Sequence, residues 1–443
     1  MGVCTLLVTL TILFFYVIYE FKNKNKVKII NPSTIFYILW SFILFLSVLN
    51  LYGLYKPSDE AYLLILLMIV FFFIGGLIFG TIKKKKEENI EKKDLKNKDI
   101  NKSKKINAFK IIFILSIIDI ILLLIDCYIV IKNYKAGIPM WKIRRWRMEA
   151  FETANNPLLN RRTLLEETFR NIIIVPFEMI LHPMAAYYFF NKSGRKKYIL
   201  LFFSIIILFL SSVAGGGGRL GYIYYFGCYL LSYICMVKNN TKIDAKKKIK
   251  YKKIIYILLF LGILVVIAFT AIRTNMSFLK QVYKYFALPP TLLSLWLPRI
   301  HTVDHTYGLL TLFGVHSYIF RTFEVLHLNF LIPNIYNETY IHLLNAEKFL
   351  ESGIGVANAF VTPIYYFYID GGYIFVCLAS LIFGFVVESK YARICKKIGT
   401  HNFIIYMLII YGIFVSFMRI QTAIPTYIIS FILTYLIFIK EEE

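Results

Sequence analysis

Eleven apolar runs, each near the roughly 20 residues that a helix needs to cross a bilayer, recur along this chain of 443 residues. They cover about 3–19, 29–51, 61–82, 109–132, 168–190, 198–214, 219–237, 254–272, 372–388, 402–419 and 424–439. With 58% hydrophobic residues overall, the chain carries far more apolar sequence than a soluble domain of this length needs. The sequence therefore predicts an all-α polytopic membrane protein of about 11 transmembrane helices, forming one membrane domain over residues 1–443.

Charge sets the expected orientation. There are 51 Lys+Arg against 26 Asp+Glu, a net charge of +25. In a soluble protein that balance would suggest nucleic acid. Here the lysines fall in short loops between spans, where they fix the cytoplasmic side, so no nucleic-acid partner is expected. Residues 20–28, 83–108, 191–197, 238–253, 389–401 and the tail are placed inside. Residues 52–60, 133–167, the Gly215 turn, 273–371 and 420–423 are placed outside. The first apolar run has Lys22, Lys24, Lys26 and Lys28 after it and no basic residue before it. That is the reverse of a signal peptide, so an uncleaved first span is expected, with the N-terminus outside and the C-terminus inside. Lys83–Lys105 is low-complexity Lys/Glu/Asn and reads as a cytoplasmic link. The six cysteines show no metal or disulfide spacing. Abundant Ile, Lys and Asn point to an AT-rich bacterial genome. No internal repeat is visible, which weakens a transporter built from symmetrical halves.

The two basic residue types separate in this topology. Of 13 arginines, only Arg195 and Arg393 fall inside; the other eleven lie in outer loops or at outer span ends. Lysine suffices where only charge matters. Arginine's planar fork grips phosphate bidentately, so its outward placement favours a site for an anionic substrate; contact with anionic lipid is the plainer explanation. Val213-Ala-Gly-Gly-Gly-Gly-Arg-Leu-Gly221 sharpens the point. Four glycines allow a sharp turn or a close backbone approach, and Arg219 follows them at the start of the next span. Backbone N–H groups of Gly217 and Gly218 with Arg219 suit a phosphate or diphosphate. A tight connection with Arg219 snorkelling to the interface is the alternative.

The late outer loop, 273–371, is too long to be a simple connector and holds His301, His305, His316, His327 and His342. Its densest stretch is Pro298-Arg-Ile-His-Thr-Val-Asp-His-Thr306. On a helix, His301 and His305 would share a face. A zinc site would need a third ligand, and the base spacing of a metalloprotease is missing, so neither metal nor cofactor is expected. An uncharged His or Asp near Arg299 could accept a proton from a hydroxyl nucleophile; otherwise these residues hold the loop together. The Trp/Arg loop 133–167 suits either an interfacial helix or a sugar-stacking surface. Tyr365, Tyr366 and Tyr368 near Asp370 could be an aromatic belt. Within the spans, Asp119 and Asp126 share one helix face and Glu178 and His182 another. Ionisable groups at that depth are paired or functional.

Taken in order, these elements resemble the Wzy-type polysaccharide polymerases. Ser212-Val-Ala-Gly-Gly-Gly-Gly-Arg-Leu-Gly-Tyr222 is similar to that family's glycine–arginine element, and Asn358-Ala-Phe-Val-Thr-Pro-Ile-Tyr-Tyr-Phe-Tyr-Ile-Asp-Gly-Gly372 with Gly384 to its second. Met418-Arg419 before the last span and Arg273 at the outer end of span eight also fit. The chain departs from the commoner pattern in its four glycines. The resemblance implies a bacterial inner-membrane enzyme that joins oligosaccharide repeat units carried on undecaprenyl diphosphate, at the outer face. A glycan would pass from its lipid diphosphate to a sugar hydroxyl of the next unit. Arg219, Arg273, Arg299 and Arg419 would hold the diphosphates, with Asp304 or His305 as base and 273–371 as the catalytic region. Membrane lipids, a flippase and a chain-length regulator would be its partners. A glycan ligase of similar architecture and a lipid-linked-glycan flippase are the rival readings.

Overall fold

The computed structural model describes residues 1–22, 29–90, 108–139, 142–143, 164–191, 194–215, 218, 220–238, 244–273, 277–358, 360–396 and 398–442. Among these residues the fold is all-α but for one two-stranded antiparallel hairpin, β1 (Leu350–Glu351) and β2 (Val356–Ala357). The helices are α1 (Gly2–Lys22), α2 (Pro32–Leu49), α3 (Asp59–Ile90), α4 (Ala108–Lys135), α5 (Leu164–Phe169), α6 (Val175–Asn191), α7 (Lys196–Ala214), α8 (Leu220–Tyr233) and α9 (Ala245–Arg273). They continue as α10 (Phe278–Ile300), α11 (Phe313–Val325), α12 (Tyr336–Asn345), α13 (Thr362–Lys396), α14 (Thr400–Phe414) and α15 (Pro425–Glu442). Every one of the eleven apolar runs falls on a helix. Among the described residues, eight helices are long and apolar enough to cross a membrane, which fits a multi-pass membrane protein.

The chain divides into two compact units. The first comprises Met1–Lys102, Leu279–Ile398 and Leu408–Ile428. Its local signals are easily traced. Asn31 caps α2, its side chain accepting from the Ser33 amide at 2.8 Å, and Pro32 opens the helix, where its missing N–H costs nothing. The core is aromatic: Phe36 stacks on Phe72 at 4.1 Å, with Phe383 edge-on to both. Glycine lets α3 and α13 cross closely. A Cβ on Gly384 would lie 2.0 Å from the Phe72 carbonyl oxygen, and one on Gly75 2.0 Å from that of Leu381. Such small-residue crossings bring helix backbones together where lipid supplies no hydrophobic drive.

The sequence reading began the ninth span at 372, but α13 starts ten residues earlier and is broken in the middle. Gly371 is extended, and Gly372 has φ 62° with ψ −151°, a conformation essentially reserved for glycine. Thr362–Asp370 is therefore a separate helical segment leading into the span. Likewise α10, read from sequence as part of a loop, buries Leu292, Leu293, Trp296 and Leu297.

The second unit comprises Ser103–Phe278, Gly399–Met407 and Ile429–Glu443. A π-helical turn, Arg170–Ile174, joins α5 to α6. It carries Arg170 inward, whereas the sequence placed that arginine with the outer set. Arg170 is buried; Nη1 meets Asp126 at 2.8 Å, Nε donates to Glu166 at 3.0 Å and Nη2 to the Leu122 carbonyl at 3.2 Å. Glu178 and His182, one turn apart on α6, both reach α7, accepting from Ser211 at 3.0 Å and meeting Ser204 at 2.8 Å. Asp119 is wholly buried, and neither carboxyl oxygen has a hydrogen-bond partner among the described residues.

Candidate functional site

The first unit gathers chemistry where α10 ends. The approach begins at the strap 51–58, which is tied down by side chains of α10. Tyr283 Oη accepts from the Leu51 amide at 2.7 Å, Thr291 Oγ1 donates to the Tyr55 carbonyl at 2.9 Å, and Ser294 Oγ accepts from the Ser58 amide at 2.9 Å. Fixing this strap fixes the first turn of α3, and with it Glu60.

α10 stops at Ile300 and the chain turns through His301–Leu312. The turn is held by Asp370, the last residue of the helical segment before the Gly371–Gly372 break. Its buried carboxylate accepts from the Leu310 amide at 3.0 Å, the Thr311 amide at 2.8 Å and the Thr306 hydroxyl. The backbone repeats the link: the Thr306 amide donates to Ile369 O at 3.1 Å and the Tyr307 amide to Asp370 O at 3.0 Å. A carboxylate satisfied by several donors inside the protein rigidifies the segment that supplies them. Asp370, read from sequence as the neighbour of an aromatic belt, is thus the anchor of the histidine-bearing turn.

His301 and His305 do not share a helix face, because the helix has ended before either. They serve different partners. His305 Nδ1 donates to the Ile369 carbonyl at 3.2 Å. A carbonyl can only accept, so in the neutral ring Nε2 keeps its lone pair. His301 Nε2 lies 3.2 Å from both oxygens of Glu60, and its Nδ1 lies 3.0 Å from Tyr368 Oη. Tyr373 donates to Glu60 at 2.5 Å. Asp304 is exposed and makes no hydrogen bond among the described residues. There, no three His, Cys, Asp or Glu side chains gather as a metal site.

Two concavities flank Val303. One of about 560 Å³ is lined by Asp304, His305, Tyr307, Asn334 and Glu338 among others. The second, about 340 Å³, is lined by Trp296, Arg299, His342, Lys348, Phe349 and Tyr365 among others. Arg299 donates to the Leu295 carbonyl at 3.0 Å and its guanidinium lies 5.4 Å from the centre of the Trp296 ring. Trp296 meets Tyr365 edge-on at 5.5 Å, and Tyr365 Oη donates to the His342 carbonyl at 3.0 Å. Burial lowers the His342 pKa, so near neutral pH the positive charge here comes from Arg299 and Lys348. The exposed Phe349 ring beside two cations can meet a planar or sugar ring carrying a phosphate.

The other expected ligands fall as follows. Arg419 is in the first unit, but Glu347 holds it at 2.5 Å. Arg219, Gly217 and the arginines at 144, 145, 147, 161 and 162 lie outside the described residues, as do residues 91–107. Gly218 is in the second unit, where its carbonyl accepts from Ser212 at 3.0 Å. Arg273 ends α9, and its side chain lies outside the description. Two residues of the cluster were missed from sequence. Glu60 reads there as a first-turn acid answering a helix dipole. Tyr373 reads as part of a span. Only their partners, brought from distant segments, mark them.

No family model matches the chain, and neither does any curated protein or solved structure.

Proposed function

We propose that the protein polymerises oligosaccharide repeat units carried on undecaprenyl diphosphate, as a Wzy-type enzyme of the bacterial cytoplasmic membrane. In this reading all eleven helical runs span the bilayer, with the N-terminus and residues 273–371 outside. The observation that carries it is the pair of concavities meeting at Val303. The smaller offers the exposed Phe349 to a sugar ring and Arg299 and Lys348 to a diphosphate, over a buried floor of Trp296 and Tyr365. The larger places Asp304 and His305 beside it, on a turn made rigid by Asp370. Glycosyl transfer from a lipid diphosphate leaves negative charge on the departing group, and fixed cations stabilise that charge without reorganising. Arg419 remains a further ligand in this proposal.

Deleting the gene and sizing the surface glycan tests it. Single repeat units in place of long chains are expected; loss of all exported units would point to a flippase instead. The transporter reading has one observation of its own, the buried Asp126–Arg170 pair, which the half-buried Glu166 joins, with Asp119 nearby in α4, since intramembrane charge often marks a translocation path.

A further inference from the structure

We infer that Glu60, held by His301 and Tyr373, is the general base that takes the proton of the acceptor sugar hydroxyl. This rests on the polymerase reading. A base must be oriented as well as basic, and the usual mark is a third group that fixes it. Glu60 has that arrangement and Asp304 does not. Both Glu60 oxygens lie 3.2 Å from His301 Nε2, and Tyr373 donates to Oε1 at 2.5 Å. A carboxylate only accepts, so Nε2 carries the proton. In the neutral ring Nδ1 is then the acceptor, and Tyr368 donates to it at 3.0 Å. The chain Tyr368–His301–Glu60 is thereby fixed in direction, with the carboxylate at its open end. Glu60 remains partly exposed, its side chain at 30%, so a hydroxyl can reach it.

Three separate segments supply this cluster: the start of α3, the turn that follows α10 and both sides of the α13 break. The break itself matters. Tyr368 precedes Gly371–Gly372 and Tyr373 follows them, and the change of backbone direction lets both hydroxyls serve one His–Glu pair. Two residues beyond His301 stands Val303, which borders both concavities.

The step balances. The acceptor oxygen forms a bond to the anomeric carbon, while the bond from that carbon to the diphosphate oxygen breaks and its electron pair leaves with the diphosphate. The hydroxyl proton passes to Glu60. His301 Nε2–H and Tyr373 Oη–H go on donating to the resulting acid, which then releases its proton to water. Glu60 is the catalytic residue here; His301, Tyr368 and Tyr373 position it.

An acid in the first turn of a helix also answers the helix dipole, and that role differs in its consequences. The test is polymerisation by the full-length protein in liposomes, with a lipid-diphosphate-linked repeat unit as donor and acceptor. Glu60→Gln keeps the shape and is expected to slow chain growth by about 10²–10⁴-fold, with donor KM little changed. Glu60→Ala is expected to regain rate when formate is added, because a free carboxylate can occupy the vacated place. The groups around Glu60 are Asp59 on its own helix, His301 on the turn, and Tyr368 and Tyr373 on α13. The acidic fall in the wild-type pH–rate profile should disappear in Glu60→Gln. His301→Gln should lower kcat less than Glu60→Gln does. A Glu60→Gln enzyme with wild-type rate and pH profile, or a Glu60→Ala enzyme indifferent to formate, overturns the assignment. Wild-type protein that extends no chain at all would overturn the polymerase reading itself.

Discussion

Glu347 holds Arg419 at 2.5 Å, so an arginine expected to grip diphosphate already has an anion on it. Both side chains are about one-third exposed, and solvent reaching a half-buried pair screens it, so its contribution is on the order of 1 kcal/mol. The Glu347 backbone is fixed independently, its carbonyl accepting from Asn358 at 2.9 Å. An incoming diphosphate would therefore displace the carboxylate at small cost. We expect Glu347→Gln to leave stability within about 1 kcal/mol and to lower the KM for the lipid-linked donor several-fold. An unchanged KM would make the pair a strut and remove Arg419 from the site.

Asp370 should matter for the turn rather than for a chemical step. Hydrogen bonds to a charged group contribute ~1.5–3 kcal/mol each, and leaving buried partners unpaired adds to the loss. Asp370→Ala strands two amides and a hydroxyl. We expect a lower thermal midpoint in detergent and new protease cleavage between residues 301 and 312, with Asp370→Asn showing a weaker form of both.

Much of this architecture was legible in the sequence, and the reasons for the rest are physical. Span positions follow from apolar runs, which bilayer thickness forces on any helix that crosses. The helical segment Thr362–Asp370 was not legible, because its apolar, aromatic residues read equally as loop or belt until Gly372 is seen to reverse the backbone. Arg170 read as an outer arginine because hydropathy locates a helix end but cannot foresee a π turn aimed at Asp126. The turn at Arg299–His305 was singled out from its composition. Its partners Glu60 and Asp370 were not tied to it, since contacts between residues hundreds or dozens apart leave no mark in either segment.

Gly384 offers a test of the packing. A methyl group there would sit 2.0 Å from the Phe72 carbonyl oxygen, which backbone cannot tolerate without α3 and α13 moving apart. Overpacking of this kind typically costs ~1–3 kcal/mol. We expect Gly384→Ala to lower the thermal midpoint and Gly384→Val to lower it further, with Gly80→Ala, where the space is open, as the neutral comparison.

His316 gives helix α11 a pH dependence. Its Nε2 donates to the Leu309 carbonyl at 2.8 Å, the ring packs on Phe320 and Phe313, and burial lowers its pKa from the usual 6.5. The unfolded chain then binds a proton before the folded one does. The contribution to stability is thus fully present above about pH 6.5 and is lost as pH falls through the folded value. The hydrogen-exchange protection factors of residues 313–325, taken after correction for the intrinsic pH dependence of exchange, should fall on acidification from pH 7 to 5. In His316→Gln that fall should be smaller.

Chain growth by the isolated protein bears most directly on the assigned activity. Purified full-length protein in liposomes, given only a synthetic undecaprenyl-diphosphate-linked repeat unit, should yield a ladder of glycans spaced by one unit, releasing one undecaprenyl diphosphate per unit added. A lipid-linked unit that is moved across the bilayer but never lengthened, or transferred once to a different acceptor without a ladder, would contradict the polymerase account.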